Sequence, residues 1–214
     1  MDNQPAGDSS KSYYGEKELS HFLSKKLEPR ATEIRLVNKA FALIPKAHHV
    51  LDIPCGGGFV TLHLARKGYW MSAADLSGPM LEIARDYFAG NKLECKIEQQ
   101  DIEHLTYADR SFDTVFNFRL FHHFPTPQIR QQAVSEMCRV AKKYVALSYL
   151  SAASVTNVKR RLQAAMGGKK PSKYATSLAE VRGYFEHADF QLVKDFARAP
   201  FVHTLHVAVF ERVQ

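Results

Sequence analysis

From residue 48 onward, short runs of aliphatic and β-branched residues alternate with longer segments of helical periodicity. This alternation constrains the fold more than any other feature of the chain. It predicts seven strands, at 48–53, 69–75, 93–98, 112–117, 144–149, 190–196 and 203–211. Helices are predicted at 59–67, 78–88, 127–141 and 178–188. Such a chain forms a three-layer α/β sandwich, with a mostly parallel sheet covered by helices on both faces. Because no helix separates the last two strands, we expect them to form an antiparallel hairpin.

The 214 residues, 45% of them hydrophobic, provide material for one substantial core. We expect a disordered tail at 1–12 and a single domain over 13–214, in which 13–47 forms a helical cover of two helices separated by Pro29. The sequence shows neither a secretory signal nor an apolar run long enough to span a bilayer, so we expect a cytoplasmic protein. No metal site is expected, because the three cysteines are scattered, at Cys55, Cys95 and Cys138.

The turn after the first predicted strand carries the sequence VLDIPCGGG, from Val50 to Gly58. In sheets of this type, ligands bind beyond the carboxyl ends of the strands, and this turn is the usual contact. The glycines allow a ligand to approach the backbone closely, although they would serve a tight turn equally well. No Lys-Ser or Lys-Thr pair follows them, which argues against a nucleoside triphosphate. The charge of Asp52 would oppose a pyrophosphate and would suit a cationic ligand.

This turn resembles the first motif of the class I S-adenosylmethionine-dependent methyltransferases, in particular the small-molecule methyltransferases of the quinone-biosynthesis type. The resemblance continues, in the family's order, through AADLSGPML, QQDIEHL and FDTVFNFRLFHHF, and it covers about residues 50–147. It implies S-adenosyl-L-methionine as cofactor and S-adenosyl-L-homocysteine as product. The cofactor-binding residues that it implies are Tyr14, Asp52, Pro54, Gly56, Gly57, Gly58, Asp75, Leu76, Met80, Asp101, Ile102, Asn117, Phe118 and Arg119.

Within this set, the resemblance implies that Asp52 and the glycines receive the methionine end of the cofactor. It places Asp75 at the ribose hydroxyls, and Asp101 with Ile102 at the adenine. Carboxylates suit these positions because they accept charge-assisted hydrogen bonds from hydroxyl and amino groups. Helix capping is the alternative role for Asp75 and for Asp101. Structural roles are likewise open for Asn117 and Arg119.

His122 and His123 follow the fourth predicted strand, where the family holds the methyl group. An imidazole with an unperturbed pKa near ~6.5 can take a proton from an acceptor at neutral pH. We therefore take this pair as the catalytic candidates, with packing in the core as the alternative for one of them. Trp70, on the second predicted strand, is expected in the core.

Basic residues are concentrated at 151–176, which contains no Asp or Glu and holds +6 of the formal net charge of +7. We expect this segment to be a lid beside the acceptor, made of an amphipathic helix and a mobile basic loop. Its charge suits an anionic small molecule, lipid or glycan, or peripheral contact with a membrane surface. A solvated charged face without a partner is the alternative.

The expected activity is therefore transfer of a methyl group to an oxygen or nitrogen of a small anionic acceptor. Nucleic acid is the second choice, because aromatic residues in the basic segment are few. The alternatives are an RNA or protein methyltransferase, or a catalytically silent binding partner that keeps the fold.

Overall fold

The computed structural model describes residues 31–155, 173–197 and 204–213. The strands of this part are β1 His49–Asp52, β2 Trp70–Asp75, β3 Lys96–Gln99, β4 Phe112–Asn117, β5 Ala141–Leu150, β6 Phe190–Ala197 and β7 Leu205–Arg212. Its α-helices are α1 Ala31–Phe41, α2 Phe59–Arg66, α3 Gly78–Gly90, α4 Pro127–Val140 and α5 Leu178–Glu186. A 3-10 turn, Phe121–His123, follows β4.

The seven strands form one sheet in the order β3-β2-β1-β4-β5-β7-β6. Strands β1 to β5 are parallel, whereas β7 runs antiparallel to both of its neighbours, β5 and β6. The predicted α/β sandwich with a C-terminal antiparallel hairpin is therefore confirmed. Because the strand order reverses between β1 and β4, a crevice opens at the carboxyl ends of these two strands.

Alternate residues of each central strand enter the apolar clusters on opposite faces of the sheet, as a pleated strand requires. Val50 of β1 packs with Phe41 of α1, whereas Leu51 belongs to the cluster that contains Met137 of α4 and Phe185 of α5. Both faces are thus sealed by helices, and only the strand ends remain accessible for a site.

Helix α1 corresponds to the second helix of the predicted N-terminal cover. The predicted tail at 1–12, the first helix of the cover and most of the predicted basic lid lie outside the described residues. Each helix in the described ranges is too short or too polar to span a bilayer.

Trp70 is not in the core, so this prediction is wrong. It is the first residue of β2, and it is 66% exposed. Its ring stacks on that of His49, with the two ring centroids 3.8 Å apart. A strand's first residue lies at the rim of the sheet, so an aromatic side chain there is covered on one side only.

Candidate functional site

A pocket lies at the carboxyl edge of the sheet, beside the crevice between β1 and β4. Its empty volume is about 360 Å³, part of it open to solvent. Among its lining residues are Pro54, Leu76, Asp101 and Ile102, all of which the sequence predicted as cofactor contacts. The loops that follow β1, β2 and β3 therefore converge here.

Asp75 ties the loop after β1 to the turn after β2. Its Oδ2 accepts from the backbone N–H of Gly56 at 2.8 Å, and its Oδ1 accepts from that of Ser77 at 2.9 Å. The side chain is buried, and burial raises the pKa of the carboxyl against the opposing effect of these hydrogen bonds. Helix α3 is capped by the Ser77 hydroxyl, which accepts from the N–H of the buried Met80. Asp75 is thus a brace between two loops rather than the cap of α3.

The three glycines of the loop differ in how strongly the structure requires glycine at each position. Gly56 and Gly58 have φ angles of 52° and 81°, in the left-handed region that side chains disfavour. A Cβ on Gly58 would also lie 2.4 Å from Cε1 of Phe88, on α3. A Cβ on Gly57 would meet only the Phe59 ring closely, at 3.1 Å. Helix packing alone therefore demands glycine at position 58, whatever the loop binds.

Asp52 is buried at the end of β1, where Thr61 Oγ1 donates to its Oδ2 at 2.6 Å. Its Oδ1 has no hydrogen-bond partner among the described residues. Burial raises the pKa of this carboxyl to about 7, and the nearby charge of Asp75 acts in the same direction. Two carboxyl groups with raised pKa values thus lie together under the glycine loop, and a cation beside them would stabilise their ionised forms.

Asp101 makes a local backbone contact and also faces the pocket. Its Oδ1 accepts from the backbone N–H of Glu103 at 3.0 Å, which is a local capping contact. The residue also lines the pocket, next to the buried Ile102.

The end of β4 is held against β1. The buried Asn117 donates from Nδ2 to the carbonyl of Ile53 at 2.8 Å, and the Phe118 ring stacks on that of Phe116. The next residue, Arg119, has a φ of 66°, and its backbone N–H donates to Ser148 Oγ at 2.6 Å. Asn117 and Phe118 therefore have structural contacts, while the Arg119 side chain is left half-exposed at the strand end.

His122 and His123 lie in the 3-10 turn, with ring centroids 4.2 Å apart. The His122 side chain is buried, and neither of its ring nitrogens has a hydrogen-bond partner among the described residues. Burial lowers the pKa of His122 to about 2 and that of His123 to about 4, and the charges of Lys173 and Arg119 contribute to both shifts. Both rings are therefore neutral at pH 7 and far less basic than an unperturbed imidazole.

Comparison with known proteins identifies the domain. Residues 50–144 match the family described as "Methyltransferase domain". A magnesium protoporphyrin IX methyltransferase from Synechocystis, solved with bound SAM, superposes with a TM-score of 0.75 at 15% identity, covering 99% of this chain and 100% of that one. Residues 50–144 carry a methyltransferase domain. The family predicted from the sequence is thereby confirmed.

Curated relatives of this methyltransferase domain match over shorter stretches. A ubiquinone biosynthesis O-methyltransferase from Coxiella burnetii is 35% identical over 83 residues, which are 39% of this chain and 36% of that relative. The methyltransferase GfsG from Streptomyces halstedii is 37% identical over 102 residues, covering 46% of this chain and 36% of that relative. The alignments thus span about a third of the length of either relative.

Two features of the methyltransferase domain were missed by the sequence reasoning. The first is the end of the predicted lid, where the Tyr174 N–H donates to the His122 carbonyl at 2.8 Å and the Thr176 N–H donates to that of Leu150 at 2.8 Å. Residues 173–176 therefore lie beside the 3-10 turn and the end of β5. No local motif signals these two contacts, since they join residues 52 and 26 positions apart. Tyr14 and residues 156–172 lie outside the described residues.

The second feature is a polar cluster on three neighbouring strands. Tyr149 Oη donates to Asp195 Oδ2 at 3.1 Å, and His206 Nδ1 lies 2.7 Å from the same oxygen. Both Asp195 and His206 are largely buried. Only strand pairing brings these residues together, so no sequence motif indicates the cluster.

Proposed function

We propose that the protein transfers the methyl group of S-adenosyl-L-methionine to an oxygen of a small acceptor and leaves S-adenosyl-L-homocysteine. The observation that carries this proposal is the pocket at the carboxyl edge of the sheet, which is lined by residues from all four of the resembling motifs. The domain family and the O-methyltransferase names of its relatives support it.

The residues present fit this cofactor. Leu76 and Ile102 offer apolar surface for an adenine ring, and the Asp101 carboxylate can accept from its amino group. Each Asp75 oxygen accepts one backbone N–H and keeps capacity to accept a ribose hydroxyl. The Oδ1 atom of Asp52, which has no hydrogen-bond partner within the described ranges, would gain a cationic neighbour at the methionine end.

When bound, the cofactor supplies a methyl group on a sulfonium, which is already an activated leaving group. The protein's own residues then have to orient the acceptor, exclude water and accommodate a proton. Arg119 and Lys173 place positive charge around the 3-10 turn, as their effect on both histidines shows. This charge would favour an acceptor whose reacting oxygen, or a group next to it, is anionic.

Burial, together with these charges, determines the proton affinity of the two histidines. His122 is buried and neutral, so we assign it a hydrogen-bonding role toward the acceptor. His123 is less buried and its pKa is the higher of the two, so it is the better candidate to take a proton. An anionic acceptor beside it would raise its pKa toward the neutral range.

Calorimetric titration with S-adenosyl-L-homocysteine tests the cofactor assignment. We expect the wild-type protein to bind, and Asp101→Ala to weaken binding by about tenfold through the lost hydrogen bond to the adenine amine. Asp113→Asn is the matched control, because this carboxylate lies on the same sheet at the opposite ends of the strands. Failure of the wild-type protein to bind would refute the proposal.

Transfer of labelled methyl groups to paired acceptors, each tested with and without a carboxylate, tests the acceptor class. We expect the carboxylate form of each pair to react faster, and equal rates would refute the anionic preference. Binding of S-adenosyl-L-homocysteine without any methyl transfer would favour the catalytically silent alternative.

A further inference from the structure

Arg119 is held in a backbone conformation that few non-glycine residues adopt. Its φ of 66° lies in the left-handed region, and its N–H is fixed by the hydroxyl of Ser148, which is fully buried on β5. Such conformations persist where surrounding structure enforces them, and they concentrate at functional sites. The enforced turn fixes the direction in which the Arg119 side chain leaves β4.

The guanidinium of Arg119 faces a carboxylate of another layer. Its Nη1 lies 3.6 Å from Oε2 of Glu33, in the first turn of α1. The Glu33 side chain is 15% exposed and that of Arg119 is 51% exposed. The distance exceeds the 2.7–2.9 Å typical of a charge-assisted hydrogen bond. The pair is therefore loose, and the half-exposed guanidinium of Arg119 can move from one carboxylate to another.

The position of this pair suits a ligand carboxylate. Arg119 lies two residues after Asn117. The Asn117 amide donates to the carbonyl of Ile53, where the chain passes from β1 into the glycine loop. The charge of Arg119 also lowers the pKa of both histidines of the 3-10 turn, so Arg119 is close enough to interact electrostatically with the candidate site. A guanidinium matches a carboxylate better than any other cationic side chain, because it can donate two parallel hydrogen bonds.

We propose that Glu33 is a built-in competitor for Arg119, and that the methionine carboxylate of the cofactor displaces Glu33 when it binds. This inference rests on the proposed function. It makes Glu33 a residue that lowers cofactor affinity, because part of the attraction of Arg119 is already used in the ligand-free protein. It also couples α1 to cofactor binding, since the ligand releases one of the contacts of this helix.

Two ligands and two substitutions test the competition by calorimetry. S-adenosyl-L-homocysteine carries the methionine carboxylate, whereas 5′-methylthioadenosine keeps the adenosine and the thioether but lacks it. Glu33→Gln should tighten binding of S-adenosyl-L-homocysteine about two- to fivefold, the range of a partly exposed ion pair. Arg119→Gln should weaken it about tenfold or more. Neither substitution should change binding of 5′-methylthioadenosine, which also shows that each variant is folded.

The ion pair of Arg182 and Glu186 on α5 provides a matched control for Arg119 and a more exposed one for Glu33. Their exposures, 51% and 52%, resemble that of Arg119, and their charged atoms lie 2.9 Å apart. Arg182→Gln and Glu186→Gln should leave both affinities unchanged.

Three outcomes would overturn the inference. The first is unchanged affinity of Glu33→Gln for S-adenosyl-L-homocysteine. The second is an equal effect of Arg119→Gln on both ligands, which would mean that Arg119 does not receive the carboxylate. The third is a wild-type protein that binds neither ligand, which would overturn the proposed function as well. The first two outcomes leave the proposed function standing.

Discussion

Asp52→Asn should stabilise the ligand-free protein, and the gain should grow as the pH rises. Burial raises the pKa of Asp52 from its ordinary 3.8 to about 7 in the folded state. Between these values the folded protein holds a proton that the unfolded chain has lost, so stability falls as the pH rises through this window. Below the window the carboxyl is protonated in both states, and above it the full penalty persists.

The magnitude follows from the two pKa values. At about 1.4 kcal/mol per pH unit, the penalty amounts to about 4 kcal/mol at pH 8 and about 2 kcal/mol at pH 5. An asparagine carries no charge to desolvate, and its amide oxygen can still accept from the Thr61 hydroxyl. The free energy of unfolding should therefore rise by about these amounts in Asp52→Asn.

Urea unfolding followed by circular dichroism, at pH values from 5 to 8, measures the effect. The relevant quantity is the difference between variant and wild type at each pH, because the raised pKa of Asp75 contributes to both proteins. Asp86→Asn, at an exposed position on α3, should change stability little at any pH. If the gain of Asp52→Asn does not increase from pH 5 to pH 8, the carboxyl is not held in the folded state with a raised pKa.

Three further predictions concern packing, exposure and the polar cluster. Gly58→Ala should lower the free energy of unfolding by about 1–3 kcal/mol in urea unfolding, because of the contact with Phe88 and the left-handed φ. Adding Phe88→Leu to this variant should restore part of the lost stability. Trp70, the chain's single tryptophan, should show solvent-exposed fluorescence that iodide quenches equally with and without S-adenosyl-L-homocysteine; a blue-shifted, protected emission would contradict its position. Asp195→Ala should lower the free energy of unfolding by about 1–3 kcal/mol, because His206 and Tyr149 lose their shared acceptor, and an unchanged melting temperature would contradict this.

Much of the fold and of the candidate pocket could be predicted because the signals are local. The period of the apolar residues distinguishes strands from helices, and the carboxyl ends of parallel strands share one edge of the sheet. Pro54, Leu76, Asp101 and Ile102 follow three successive strands, so their meeting around one pocket followed from the strand pattern and the motifs.

The tertiary structure alone decided how those residues behave. Trp70 is a large aromatic residue of the kind found in protein cores, but it is the first residue of β2, and its side chain is exposed in the described part of the chain. The two histidines follow the right strand, yet burial and the distant Lys173 make them weak bases. Glu33 meets Arg119 across 86 positions of sequence. Local pattern determines which element a residue joins, whereas burial and electrostatic environment depend on residues far apart in the chain that only the folded protein brings together.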